Sequence, residues 1–186
     1  MNPMLVITFL LCTVSILTSQ KINQEIIIDS QQPYMVGQIT IDALASNSYQ
    51  SWYQNTYDSY EVNANLIDSV KDELSKHKIL LFMGTWCGDS KREVPRFIKI
   101  LEIAHFPMEN LKIVAVDRRK NFYKKSPGGE EWGLSIKRVP TFIFYKNGKE
   151  TNRIIESPIT SLEEDVKAIV TNAEYTPNYP KSLHFD

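Results

Sequence analysis

A layered α/β fold is what this 186-residue sequence predicts. Two observations carry the expectation. Short apolar runs of strand length alternate with longer segments whose apolar residues recur at helical spacing, and the chain closes on a hairpin followed by an amphipathic helix.

The elements follow in order. Glu25-Ile26-Ile27-Ile28 and Met35-Val36-Gly37-Gln38-Ile39-Thr40-Ile41 read as short strands. Next comes a polar, aromatic stretch from Tyr49 to Tyr60 that includes Trp52, Tyr53 and Tyr57. Amphipathic rings of this kind pack an extension onto a domain; a binding surface is the alternative. Leu66, Val70 and Leu74 mark a helix from Asn63 to Lys76, and Ile79-Leu80-Leu81-Phe82-Met83, bounded by Gly84, is a buried strand. The helix that follows places Val94, Phe97, Ile98 and Leu101 on one face, with charged residues around them. Leu111 to Val116 is a further strand ended by Asp117, and Ser126-Pro127-Gly128-Gly129 breaks the chain before a short helix ending near Ile136. Phe142 to Tyr145, the turn Asn147-Gly148 and Thr151 to Ile155 form a hairpin. Leu162, Val166 and Ile169 line a helix from Ser161 to Thr171, and the tail from Tyr175 is irregular.

Composition bounds the function. A hydrophobic content of 42% supports one ordinary core with an appendage, and a net charge of −1 argues against nucleic acid as partner. Arg118-Arg119-Lys120 and Lys124-Lys125 are basic, but Glu130-Glu131 follows closely, so the cluster reads as a solvated loop or helix face. Met4 to Leu17 is nearly all apolar and too short for a confident membrane span. It suits the apolar region of a secretory signal peptide over residues 1–19, cleaved near Ser19, although no Lys or Arg precedes it. An uncleaved anchor, with membrane association, is the alternative. Cleavage removes Cys12 and leaves Cys87 as the sole thiol of an exported, periplasmic or secreted chain. An unpaired cysteine in that setting is either reactive or paired with another molecule.

Trp86-Cys87-Gly88-Asp89-Ser90 is the candidate site. It puts a thiol where a strand turns into a helix, and a helix N-terminus favours the thiolate, the nucleophilic form. Asp89 opposes that ionisation while Lys91 and Arg92 favour it. Eight residues past the thiol stands Pro95, which removes a helical hydrogen bond and is expected to kink the axis. Further on, Val139-Pro140-Thr141 leads straight into the apolar run of the hairpin, which ends in Lys146-Asn147-Gly148.

Taken in order and spacing, these motifs resemble the thioredoxin superfamily over about residues 61–175, preceded by an extension from 20 to 60 and followed by a tail from 176 to 186. The variant resembled is a bacterial-type, exported one with a single active-site cysteine. The resemblance implies a central mixed β-sheet flanked by helices, a cis Val139-Pro140 bond beside the thiol, and backbone hydrogen bonds from Val139 to a client strand. Two departures alter the chemistry. The position three after Cys87 is Ser90, so Cys-x-x-Cys has become Cys-x-x-Ser, and the buried acid expected six before the cysteine is Leu81. Without a second thiol an ordinary dithiol reductase is not expected.

The expected activity is therefore that of a monothiol thiol-disulfide oxidoreductase or isomerase. Cys87 attacks a disulfide-containing client; Ser90 donates a hydrogen bond to the thiolate, or is an inert replacement. Trp86, Gly88, Asp89, Val139 and Pro140 contact the substrate, Trp86 either as a platform or as plain packing. An external thiol reductant is implied as a partner, and no cofactor is expected. The alternative from another class is a redox-silent module that holds an extended peptide in the same groove. A peroxide-reactive thiol fits least, because Met83-Gly84-Thr85-Trp86-Cys87 lacks the Thr-x-x-Cys setting after a proline. His77, His105 and His184 stand far apart and read as surface residues, so no metal site is expected.

Overall fold

The computed structural model describes residues 21–29 and 31–179. The expected signal peptide, Cys12, His184 and the end of the tail lie outside the described residues. Six strands form one mixed sheet: β1 (Gln24–Ile26), β2 (Tyr34–Ile39), β3 (Lys78–Met83), β4 (Leu111–Ala115), β5 (Thr141–Lys146) and β6 (Lys149–Ile155). Their order is β1-β2-β4-β3-β5-β6, with β3 and β4 parallel and every other pairing antiparallel. The helices are α1 (Ile41–Leu44), α2 (Asn47–Ser59), α3 (Ala64–Asp68), α4 (Lys71–Leu74), α5 (Gly88–Ile103) and α6 (Leu162–Val170).

Strand alternation sorts the core onto two faces. Leu81, Met83, Ile113, Phe142 and Phe144 face the layer of α5 and α6, where Phe97 sits 4.5 Å from Phe142 between ring centroids. Phe82, Val114, Val116 and Ile143 face the other way, into a smaller cluster that Val139, Trp86 and Cys87 complete. The thiol is thus anchored to the second face while its helix packs on the first.

The N-terminal extension shares this core. β2 pairs with β4, and the aromatic stretch is α2, which packs along α5 with Tyr49 and Tyr53 buried. Lys99 fastens the two helices by donating to the carbonyls of Tyr57 at 2.8 Å and Tyr60 at 2.7 Å. The packing role of these rings is the one the structure displays.

Three local expectations are corrected. The helix expected over 63–76 is broken into α3 and α4, because the Ser69 hydroxyl bonds the Leu66 carbonyl at 2.6 Å and Val70 leaves the helical conformation with φ −127° and ψ 1°. The short helix expected between the 126–129 break and Ile136 does not form: Gly129, Gly133 and Ser135 all have positive φ, and three left-handed residues in so short a span cannot continue a right-handed helix. His77 is buried, with Nδ1 2.8 Å from the Glu73 carbonyl oxygen and its ring edge-on to Phe144. Burial lowers the basicity of that ring. His105 is exposed, as expected. Pro95 lies within α5, which runs on through it. Tyr175 of the tail is tied down, its hydroxyl donating to Asp165 at 2.8 Å.

Candidate active site

Gly84 ends β3 and organises the turn that presents the thiol. Its N–H donates to Ser90 Oγ at 3.2 Å, and its carbonyl accepts from the Cys87 N–H at 2.9 Å. The Trp86 indole lies flat against it: a Cβ at position 84 would stand 2.7 Å from Trp86 Cε2. Only glycine leaves room for that approach. Trp86 is fixed at its other end by a hydrogen bond from Nε1 to the Val116 carbonyl at 2.9 Å, and Tyr123 packs on it with ring centroids 5.8 Å apart.

Cys87 is the N-cap residue of α5, with φ −90° and ψ 129°, and its side chain caps no backbone N–H. The sulfur is half-buried, and its thiol donates to the Val139 carbonyl at 3.3 Å. The Val139–Pro140 peptide bond is cis, and both residues are buried. Thr141 steadies this approach, its hydroxyl donating to the Arg138 carbonyl at 2.7 Å. Residues 52 apart in sequence thereby meet at the sulfur.

Trp86, Cys87, Val139 and Pro140 are brought together. Gly88 and Asp89 form the first turn of α5, Gly88 exposed and Asp89 half-exposed, with Asp89 paired to Arg92 at 2.8 Å. Arg92 also bonds Glu93, so it is occupied along the helix surface. Lys91 reaches over the Trp52 ring at 5.8 Å. Ser90 is fully buried, and the hydrogen bond it makes is to Gly84; among the described residues none links it to Cys87. Ser90 has a structural part beneath the turn, its oxygen accepting from the Gly84 N–H. Leu81, where an acid was expected, is fully buried among apolar side chains.

Sequence reasoning missed four contributors. Gly84 read only as a strand end, the Val139 carbonyl had no foreseen bond to the sulfur, and Tyr123 gave no sign of lying on Trp86. A fourth is Asp117, next to the residue that holds Trp86. It accepts from the Tyr34 hydroxyl at 2.8 Å and from Arg119 Nη2 at 2.6 Å. Burial opposes its ionisation, but the Arg119 and Tyr34 hydrogen bonds outweigh burial and hold its carboxyl below the usual range. Among the described residues no group of three or more His, Cys, Asp or Glu is placed to hold a metal ion, and no helix is long and apolar enough to cross a membrane.

The chain is similar in sequence to known proteins across this site and the elements around it. A family model described as thioredoxin matches residues 41–173. Thioredoxin H9 of Arabidopsis thaliana is 30% identical over 109 residues, 59% of this chain and 71% of that protein. A thioredoxin H-type of Picea mariana is 30% identical over 95 residues, 51% of this chain and 68% of its own length. Among solved structures, the thioredoxin of Fasciola hepatica aligns with a TM-score of 0.35 at 19% identity, covering 60% of this chain and 93% of that one. With the family match spanning the strand, thiol turn, cis-proline segment and closing helix alike, the chain belongs to the thioredoxin family.

Proposed function

We propose that this protein is a monothiol thiol-disulfide exchange enzyme, exported from the cytoplasm, whose nucleophile is Cys87. Membership of the thioredoxin family supports thiol-disulfide chemistry on thiol or disulfide clients. The observation that carries the monothiol reading is the turn itself: a half-buried sulfur at a helix N-terminus beside Val139, with a serine in the position of a second thiol.

In the first step the Cys87 thiolate attacks one sulfur of a client disulfide. A bond forms between Cys87 and that sulfur, the client S–S bond breaks, and the departing client thiolate takes up a proton. Ser90 cannot reverse this, since a hydroxyl is too weak an acid to supply the attacking anion and this one is held under Gly84. Resolution comes from within the client, whose freed thiolate breaks a second client disulfide so that the thiolate released there attacks the client sulfur of the mixed disulfide and expels Cys87, which isomerises the client, or from an external thiol. The external thiol loses its proton, forms a disulfide with the client sulfur and releases Cys87 as thiolate, which takes that proton back. Trp86, Gly88 and Asp89 flank the approach, and the extended segment at Val139 and Pro140 lies alongside it.

Export rests on the apolar segment before residue 20, and the oxidising surroundings make an external reductant necessary. N-terminal sequencing of protein from the native host tests it: a mature start near Gln20 is expected, and an intact Met1 on a membrane-free protein overturns it. The chemistry is tested by incubating the full chain with a disulfide probe of known mass. A Cys87 mixed disulfide should form, and Cys87→Ala should abolish client capture. Capture undiminished in Cys87→Ala would instead establish the redox-silent module.

A further inference from the structure

The loop between β4 and β5 carries a feature that its sequence conceals. Between positions 117 and 138 the chain has seven Lys and Arg residues against three acids. All three acids are turned inward. Asp117 is held by Tyr34 and Arg119. Glu131 and Glu130 converge on Ser126, whose hydroxyl lies 2.5 and 2.6 Å from them, and Glu130 also faces Lys112 at 3.8 Å. Of the basic residues, Arg119 and Arg138 have carboxylate partners. Among the described residues Arg118, Lys120, Lys124, Lys125 and Lys137 form no ion pair.

These charges are set on a rigid frame beside the thiol. Asp117 and the 124–125 turn exchange two backbone hydrogen bonds of 2.9 Å, closing the loop on itself. Tyr123 rests on Trp86, the Lys124 ammonium lies 4.9 Å over the Tyr123 ring, and Lys124 also donates to the Lys137 carbonyl. Lys137 and Arg138 lead directly into Val139, the residue in contact with the sulfur. Phe122 and Tyr123 are half exposed, and the Arg119 guanidinium sits 4.8 Å over Phe122. Behind the loop a cavity of about 240 Å³ opens between β1–β2 and the loop, walled in part by Arg119 and Lys125. Exposed aromatic rings with cations on their faces, Arg119 shared with Asp117 and Lys124 without an ion pair among the described residues, together with the unpaired lysines around them, form a surface complementary to acidic side chains set among apolar ones.

We propose that this loop is a client-docking surface selective for an acidic, extended polypeptide segment flanking the cysteine to be exchanged. The inference rests on Cys87 as the exchanging thiol, which fixes where a client must lie. A polypeptide is favoured over nucleic acid because the whole chain carries a net charge of −1 and the loop sets apolar rings beside its cations.

The test uses a pair of fluorescein-labelled synthetic peptides, one with Asp and Glu around a central Ser, the other with Lys at those positions. Neither contains cysteine, so binding is read without exchange chemistry. The full-length protein should bind the acidic peptide more tightly, with the preference shrinking as salt rises. Combined Lys120→Glu, Lys125→Glu and Lys137→Glu replacement, at three exposed positions without ion pairs, should weaken that binding about tenfold or more. Equal binding of the two peptides, or affinity untouched by the triple replacement, overturns the proposal. So does a triple variant that loses only binding to a single-stranded oligonucleotide or to anionic phospholipid vesicles. If the acidic peptide binds as expected but cysteine-containing versions form no mixed disulfide, the exchange reading fails while the docking surface stands.

Discussion

Replacing Gly84 by alanine probes the turn at its most constrained point. The new methyl group would lie 2.7 Å from Trp86 Cε2, 3.0 Å from Cζ2 and 3.1 Å from Cδ2. The atoms met belong to a rigid ring held by Val116 at one end and covered by Tyr123 on its face, so the ring cannot yield without giving up those contacts. Overpacking of this kind costs about 1–3 kcal/mol. Losing the indole hydrogen bond adds about 1 kcal/mol, and the stiffer unfolded chain of alanine returns about 0.4–1 kcal/mol. The net expectation is a loss of about 2 kcal/mol, read as a lower urea midpoint at unchanged slope.

The same substitution should change the thiol's surroundings, because Trp86 and Cys87 share one apolar cluster with Val139. Alkylation of Cys87 by iodoacetamide, followed by mass spectrometry of its peptide, should run faster in Gly84→Ala as the indole swings aside. A variant with the wild-type midpoint and the wild-type alkylation rate would refute the reasoning that Gly84 exists to admit the ring.

Further outcomes are expected elsewhere. Ser90→Ala leaves the buried Gly84 N–H without its acceptor and should destabilise by about 1–3 kcal/mol, with client capture at Cys87 retained; loss of capture at intact stability would restore Ser90 to the chemistry. Ser90→Cys should convert the site into a self-resolving pair, so that an internal disulfide between Cys87 and the introduced thiol accumulates in place of the mixed disulfide, as mass spectrometry would show. Arg153 is buried, grips Glu150 at 2.6 and 2.7 Å and donates to the Leu134 carbonyl at 2.8 Å. Its replacement by alanine should cost about 2–3 kcal/mol, discounted because Glu150 is partly exposed, and should quicken amide exchange in the loop that Leu134 anchors. His77 is held neutral by burial, so the unfolded chain takes up its proton first on acidification. Stability contributed by the neutral ring is therefore fully present above the ordinary histidine value of 6.5 and is lost as pH falls below it. His77→Gln should flatten that slope in urea titrations between about pH 5 and 7.

What the sequence made legible is what local spacing decides. Strand length, the apolar face of α5 and the thiol at its N-terminus all follow from residues a few positions apart; β3 and α5 stand where spacing put them, while the strands expected over 25–28 and 35–41 run Gln24–Ile26 and Tyr34–Ile39. Contacts that depend on how the chain returns were not legible. Ser90 has the right identity and spacing to face Cys87, but its acceptance from Gly84, whose N–H the strand-to-helix reversal brings under the helix, was not legible from spacing. His77 looked like a surface residue because one position beyond a helix gives no hint that Phe144 will pack over it. The basic loop shows the limit most sharply. In linear order Glu130-Glu131 follows the lysines closely and the cluster reads as a solvated face, although seven cations against three acids leave the segment net positive. Folding separates the two signs, since Ser126 with its N–H and hydroxyl holds the two glutamates, and Lys120, Lys125 and Lys137 are left exposed and, among the described residues, without ion pairs. A charge pattern read along a chain therefore does not say which sign is left exposed wherever one small polar residue can hold the acids inward.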